Sequence, residues 1–131
     1  MNIQSLLLLA PPILLALTFH EFAHAFMANM YGDDTAKQSG RLTLNPLRHL
    51  DLLGTIMIFI ARFGWGKPVP FNYHNLKNQR RDAALISIAG PISNLATAFV
   101  VAFLLKYLAP PSFIFGALQM IFTLSIILFL F

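Results

Sequence analysis

The run from Ile3 to Met30 constrains this chain more than any other feature: it is almost wholly apolar and holds a single charged side chain, Glu21. A helix rising about 1.5 Å per residue over that length exceeds a hydrocarbon core about 30 Å thick. Two further apolar stretches follow, Ala83–Leu105 and Phe113–Phe131. With 57% hydrophobic and 11% charged residues, against about 25% charged in a typical soluble domain, 131 residues cannot bury this much apolar surface in a core of their own. The expected fold class is therefore an all-α multi-pass membrane protein. It forms one domain over residues 1–131, with spans at about 3–30, 83–105 and 113–131 and the lipid bilayer as its surroundings. Pro11-Pro12 removes two backbone donors and predicts a kink or break in the first span. A secretory leader does not fit, because Met1-Asn2-Ile3-Gln4 carries no basic residue and the apolar run is too long. Tyr31 then supplies an interfacial aromatic, Gly32 a helix stop, and Asp33-Asp34 an anchor in water.

Between the first two spans, Leu52–Ala61 is apolar but is interrupted by Arg62. Ten residues of helix reach only about 15 Å, too short to cross. The segment is expected to dip into the membrane and return, or to lie as strands against the helices, giving a membrane-associated loop or a short β-hairpin. The flanking residues 33–51 and 63–82 are polar, the second with the punctuation Gly64-Trp65-Gly66-Lys67-Pro68-Val69-Pro70. If the short stretch does not cross, eight of the nine Lys/Arg residues lie on one side and only Lys106 on the other. That bias places the loops in the cytosol, at a plasma (inner) membrane, with the N-terminus facing away. The same placement makes the net charge of +4 a matter of orientation, not of nucleic-acid binding. The absence of cysteine excludes disulfides, thiolate metal sites and cysteine nucleophiles.

Within the first run, His20-Glu21-Phe22-Ala23-His24 is the pattern H-E-x-x-H. Four residues advance a helix slightly more than one turn, so both imidazoles emerge on one face and can share a metal. Zinc suits imidazole ligands and lowers the pKa of a bound water toward about 7. Glu21 flanks that face, where it can take a proton from the water and deliver it to a leaving amine. The plainer reading, ordinary polar residues in a helix, meets two objections. Glu21 is the only glutamate in the chain, and it lies about 12 Å from the end of the apolar run, where a charge costs a few kcal/mol.

From these residues onward the chain resembles the site-2 protease family, the intramembrane zinc metalloproteases. The motif is followed by Gly32-Asp33, Thr35-Ala36-Lys37, Gly40-Arg41-Leu42-Thr43-Leu44-Asn45-Pro46, and His49-Leu50-Asp51 with Gly54-Thr55. Then come Gly64-Trp65, Lys67-Pro68-Val69-Pro70-Phe71-Asn72, and Gly90-Pro91 with Asn94. In that order, over about two thirds of the chain, the blocks are similar to the compact branch without a PDZ insertion. The resemblance implies a helical membrane core around one zinc, held by His20, His24 and an aspartate, with Glu21 as general acid/base. It implies cleavage of the transmembrane segments of other proteins within the bilayer. The aspartate comes from a later N-P-x-x-D-G or L-D-G motif that these 131 residues do not contain, so a C-terminally incomplete core is expected.

Other residues have two readings. Asn94, in Gly90-Pro91-Ile92-Ser93-Asn94, can bond a neighbouring helix in small-residue packing, or, by resemblance, orient substrate or polarise the scissile carbonyl. The alternating prolines of Lys67–Asn72 suggest either a connecting loop or an extended edge; the latter would let Phe71 and Asn72 help hold a substrate as a strand. Asp51 reads as a solvated or capping residue, His49 and His74 as solvated histidines, and Trp65 and Tyr107 as interfacial aromatics. The phenylalanines at 113, 115, 122, 129 and 131 read as lipid-facing or packing surface. Two rival functions stand beside proteolysis. A catalytically incomplete relative could act as a scaffold or weak zinc binder. A zinc transporter fits less well, since Ala83–Leu105 and Phe113–Phe131 hold no His, Asp or Glu.

Overall fold

The computed structural model describes residues 3–61, 63–108 and 110–130. The helices are α1 (Ile3–Met30), α2 (Thr35–Gln38), α3 (Leu52–Ala61), α4 (Gln79–Leu108) and α5 (Ser112–Leu130), with 3-10 turns at Pro46–Arg48 and Tyr73–Asn75. Helices α1, α4 and α5 pack against one another in all three pairings. Arg62 and Phe131, where the sequence ends two of its apolar stretches, and the side chain of Phe113 lie outside the described residues.

The packing is the reverse of a soluble core. Among the described residues, seven of the ten buried apolar side chains are alanines: 16, 25, 28, 36, 83, 89 and 98. The large ones point outward, with Phe99 69% and Ile60 74% exposed. Small residues let helix backbones approach closely, and outward-facing Leu, Ile and Phe of this extent mark surfaces that meet a membrane or other protein. Among the described residues, α4 is long and apolar enough to cross a membrane, and the apolar stretch Ile114–Ile127 within α5 is shorter.

Three expectations are corrected locally. Of the kink or break expected at Pro11-Pro12, the break does not occur, since helix α1 continues through both prolines; a proline's fixed φ is compatible with helix, and what it removes is a donor. Leu52–Ala61 is neither loop nor hairpin but a helix, and among the described residues there is no strand, only an isolated antiparallel bridge between Leu50 and Gly66. The cause is Asp51, which acts as an N-cap and starts α3. Its carboxylate accepts from Gly54 N at 2.7 Å, and its carbonyl accepts from Thr55 N at 2.8 Å. Lastly, Asp33 is no anchor in water: it is fully buried.

The stop at Gly32 is as expected. At φ +98° it takes the left-handed conformation. Gly32 N donates to Asn29 O and Asp33 N to Ala28 O at 2.9 Å, a Schellman ending. The chain turns so that Asp33 faces the second loop. Its carboxylate accepts from Thr35 N (3.1 Å) and Oγ1 (2.5 Å), Asn72 N (2.6 Å) and Asn75 Nδ2 (2.9 Å), binding both polar loops to one end of the bundle. Burial acts to raise the Asp33 pKa, but the hydrogen bonds from Thr35, Asn75 and Asn72 outweigh it and hold the carboxyl below the usual range. A depressed folded pKa means the unfolded chain binds the proton first as pH falls. The protein should therefore lose thermal stability as pH drops below about 4, and Asp33→Asn should flatten that dependence. Unfolding curves in detergent between neutral and acid pH check both.

Candidate metal and catalytic site

His20 and His24 project from the same face of α1, their ring centroids 4.7 Å apart and planes at 81°. Helix α4 fixes both rings. His24 Nδ1–H donates to the Ile86 carbonyl at 2.7 Å, which leaves the Nε2 lone pair free. His20 Nδ1 lies 2.8 Å from the side-chain amide of Asn94, a fully buried residue. As oriented, Asn94 Nδ2 meets the ring and Oδ1 has no partner. Amide oxygen and nitrogen are alike in shape, and it is the orientation with Oδ1 on Nδ1–H that bares His20 Nε2 for a metal.

The decisive feature is Gly90. A Cβ built there would overlap His24 Nε2 and lie 2.6 Å from His20 Nε2. Both ring nitrogens thus converge on one small space that exists because residue 90 has no side chain. That cradle and the paired imidazoles suit zinc, which takes nitrogen ligands at about 2.0–2.1 Å. Among the described residues no third His, Cys, Asp or Glu joins them.

Beside the rings opens a cavity of about 240 Å³, lined by Glu21 and His24 from α1, Ile86 and Ser87 from α4, and Pro68, Val69 and Phe71 from the second loop. Phe71 thus stands in the wall, its ring 4.9 Å from that of Tyr73. Asn72 does not join it. Its backbone N–H is held by Asp33, and its side chain accepts from His74 N at 3.0 Å, capping the Tyr73–Asn75 turn.

Behind the wall lies a pair that sequence reasoning passed over. Arg41, 4% exposed, donates from Nη1 to Pro68 O at 2.9 Å and from Nη2 to Lys67 O, with Nη2 also 3.4 Å from His49 Nδ1. His49 is fully buried, not solvated, and its Nε2–H donates to Thr43 O at 2.8 Å. Burial presses the His49 pKa below its usual range, partly offset by that bond and reinforced by the Arg41 charge. Burial also lowers the Arg41 pKa, and the Glu21 carboxylate pulls it back up. In the sequence Arg41 stands only within the Gly40–Pro46 block and His49 reads as solvated; nothing local says that both turn inward. Asp34 and His74 are exposed, as are Trp65 and Tyr107.

The chain is 54% identical over 93 residues to YwhC of Bacillus subtilis, a protein named as a candidate zinc metalloprotease. The match covers 71% of this chain and 42% of that protein. It is 38% identical over 102 residues to Rip2 of Mycobacterium tuberculosis, named in the same way, with 75% and 39% covered. Rip2 of Mycolicibacterium smegmatis matches at 38% over 91 residues, covering 65% and 34%. The relatives are thus named as candidate zinc metalloproteases. The chain spans about two fifths of the length of the first two. No family profile matches the chain, and no solved structure does.

Asn94 does not line the cavity but holds the His20 ring in place. Asn94→Ala is expected to weaken zinc binding about 10- to 100-fold without displacing α4, measured by competition against a chromophoric chelator.

Proposed function

We propose that this chain belongs to an intramembrane zinc endopeptidase of the site-2 protease family, in its compact branch without a PDZ domain, that cleaves transmembrane segments of other proteins. The observation that carries this reading is the convergence of His20 and His24 Nε2 on the space above Gly90, with Glu21 on the adjoining cavity wall. The names of the relatives favour the same chemistry. In this reading α1, α4 and α5 all cross the bilayer, which the alanine core and outward-facing Leu, Ile and Phe support. The polar loops and the site face the cytosol, as the basic residues gathered in them suggest.

His20 and His24 would hold the zinc, with Ile86 O and Asn94 keeping each ring in the tautomer that ligation needs. Bound zinc would supply Lewis acidity, polarising the scissile carbonyl and acidifying water. Glu21 takes the proton from the attacking water and passes it to the leaving amine. A substrate helix must unwind locally, because its carbonyls are otherwise occupied within the helix. The second loop offers it a partner backbone. Pro68 and Pro70 lack N–H groups, Arg41 takes the carbonyls of Lys67 and Pro68, Val69 N–H is turned to the Glu21 carboxylate, and Asp33 takes Asn72 N–H, so the groups left for substrate are the carbonyls of Val69 to Phe71 and the N–H of Phe71.

The test is reconstitution of the whole gene product in lipid with a transmembrane substrate. Cleavage should cease on chelation and return with zinc; cleavage that survives thorough chelation refutes the proposal. A metal-binding scaffold is the alternative, favoured by the two-histidine donor set among the described residues. It predicts zinc uptake with no cleavage under the same conditions.

A further inference from the structure

We infer that Arg41 is a positioning residue, whose buried guanidinium fork holds the carbonyls of Lys67 and Pro68 and so keeps the Val69 wall in place beside Glu21. The need arises from the sequence of the wall. Pro68 and Pro70 have no N–H, so this stretch cannot be secured by an ordinary ladder of backbone donors. Its ends are fixed, at Lys67 N by the His49 carbonyl (2.9 Å) and at Asn72 N by Asp33 (2.6 Å). Between those points Val69 N–H is turned to the Glu21 carboxylate, and the carbonyl oxygens of Lys67 and Pro68 are anchored by Arg41.

The guanidinium is itself held from behind. Arg41 N donates to Ala36 O at 2.8 Å, and His49, fixed by Thr43 O, sits against Nη2. A buried cation is retained only where several acceptors and a counter-charge meet it. Here the acceptors are wall carbonyls and the counter-charge is Glu21, across the same wall. A lysine would supply the charge but not a planar fork able to span two carbonyls and a ring nitrogen. Loss of the fork leaves two carbonyls unpartnered and lets Pro68 and Val69 swing away from the cavity.

The catalytic consequence rests on the proteolytic reading above; the structural one does not, and the experiment separates them. Residues 1–131 have no cysteine, so, with any cysteine elsewhere in the gene product replaced by serine, Val69→Cys introduces a single thiol in the wall and Ala83→Cys a single thiol in the buried core. Each is placed in the whole gene product in lipid, and alkylation by a membrane-impermeant maleimide is timed with Arg41, Arg41→Lys or Arg41→Met. Arg41→Met should speed reaction at position 69 by about tenfold, as expected of a local opening, with Arg41→Lys restoring protection only in part. Position 83 and bound zinc should not change. An unchanged rate at 69, or equal acceleration at 69 and 83, overturns the inference.

With a transmembrane substrate, Arg41→Met should lower kcat/KM by about 10- to 100-fold at full zinc content, a loss typical of misplacement of about 1 Å. Parent-like cleavage by Arg41→Met, or full rescue by Arg41→Lys, overturns it as well. If the parent protein cleaves nothing while the thiol pattern holds, the wall inference stands and the proteolytic reading is what fails.

Discussion

Replacing Glu21 by glutamine is expected to abolish cleavage while leaving zinc bound. The two side chains have nearly the same shape, so the α1 turn and the cavity should persist, and neither ring nitrogen loses its α4 partner. What disappears is the capacity to accept and return a proton. General acid/base catalysis contributes roughly a hundred- to ten-thousand-fold, so the residual rate should fall by that factor. Zinc content by atomic absorption and cleavage of a transmembrane substrate in lipid check the pair. Retained cleavage removes Glu21 from the mechanism; lost zinc would make it a ligand instead of a proton carrier.

Gly90→Ala should have the opposite signature, losing metal first. A Cβ at this position would overlap His24 Nε2 and stand 2.6 Å from His20 Nε2, an approach that real Cβ contacts do not adopt. The added methyl would occupy the space where the rings converge, so either the rings or the helix must retreat. Zinc ligation tolerates only about 0.2 Å of displacement, and affinity should fall on the order of 100-fold or more. The direction is informative, because alanine is the better helix former by about 1 kcal/mol and on local grounds should help α4. Gly116→Ala is the control. A Cβ there meets nothing within 4 Å, so it should leave zinc unchanged. Equal zinc affinity in Gly90→Ala and the parent protein would show that the rings do not meet a metal over residue 90.

The helical class and the face shared by His20 and His24 were legible because both depend on short-range order. Hydrophobic content over a run as long as Ile3–Met30 needs no partner to interpret. A four-residue spacing on a helix puts two side chains on one side wherever that helix goes. The Schellman stop at Gly32 was readable for the same reason. Asp51 shows the limit: the residue that caps α3 was open to that reading, yet Leu52–Ala61 looked like loop or strands, because ten apolar residues carry no periodicity that separates helix from strand.

Asp33, Arg41 and His49 mark the boundary more sharply. Each is a polar residue in a polar loop, and a one-dimensional reading returns it to water. Asp33 and Arg41 are buried because a segment far along the chain comes back to cover them: Asn72 and Asn75 over Asp33, Lys67 and Pro68 over Arg41. His49 is carried inward with Arg41, against whose guanidinium it sits. Gly90 belongs with them. In sequence it is a small residue beside a proline in an apolar helix, with packing as sufficient explanation.

The sequence alone determined that this chain is helical and strongly apolar and that one helical face carries two imidazoles with an acid beside them. Those properties follow from composition and from the helical period, which no distant contact alters. Tertiary structure decided the rest: that α4 lays a glycine against both rings and supplies Ile86 O and Asn94 to hold them, and that a buried arginine braces the proline-bearing wall over Glu21. These depend on pairs 26 to 74 residues apart in the chain, and the energy of such a contact exists only once packing has excluded water from around it.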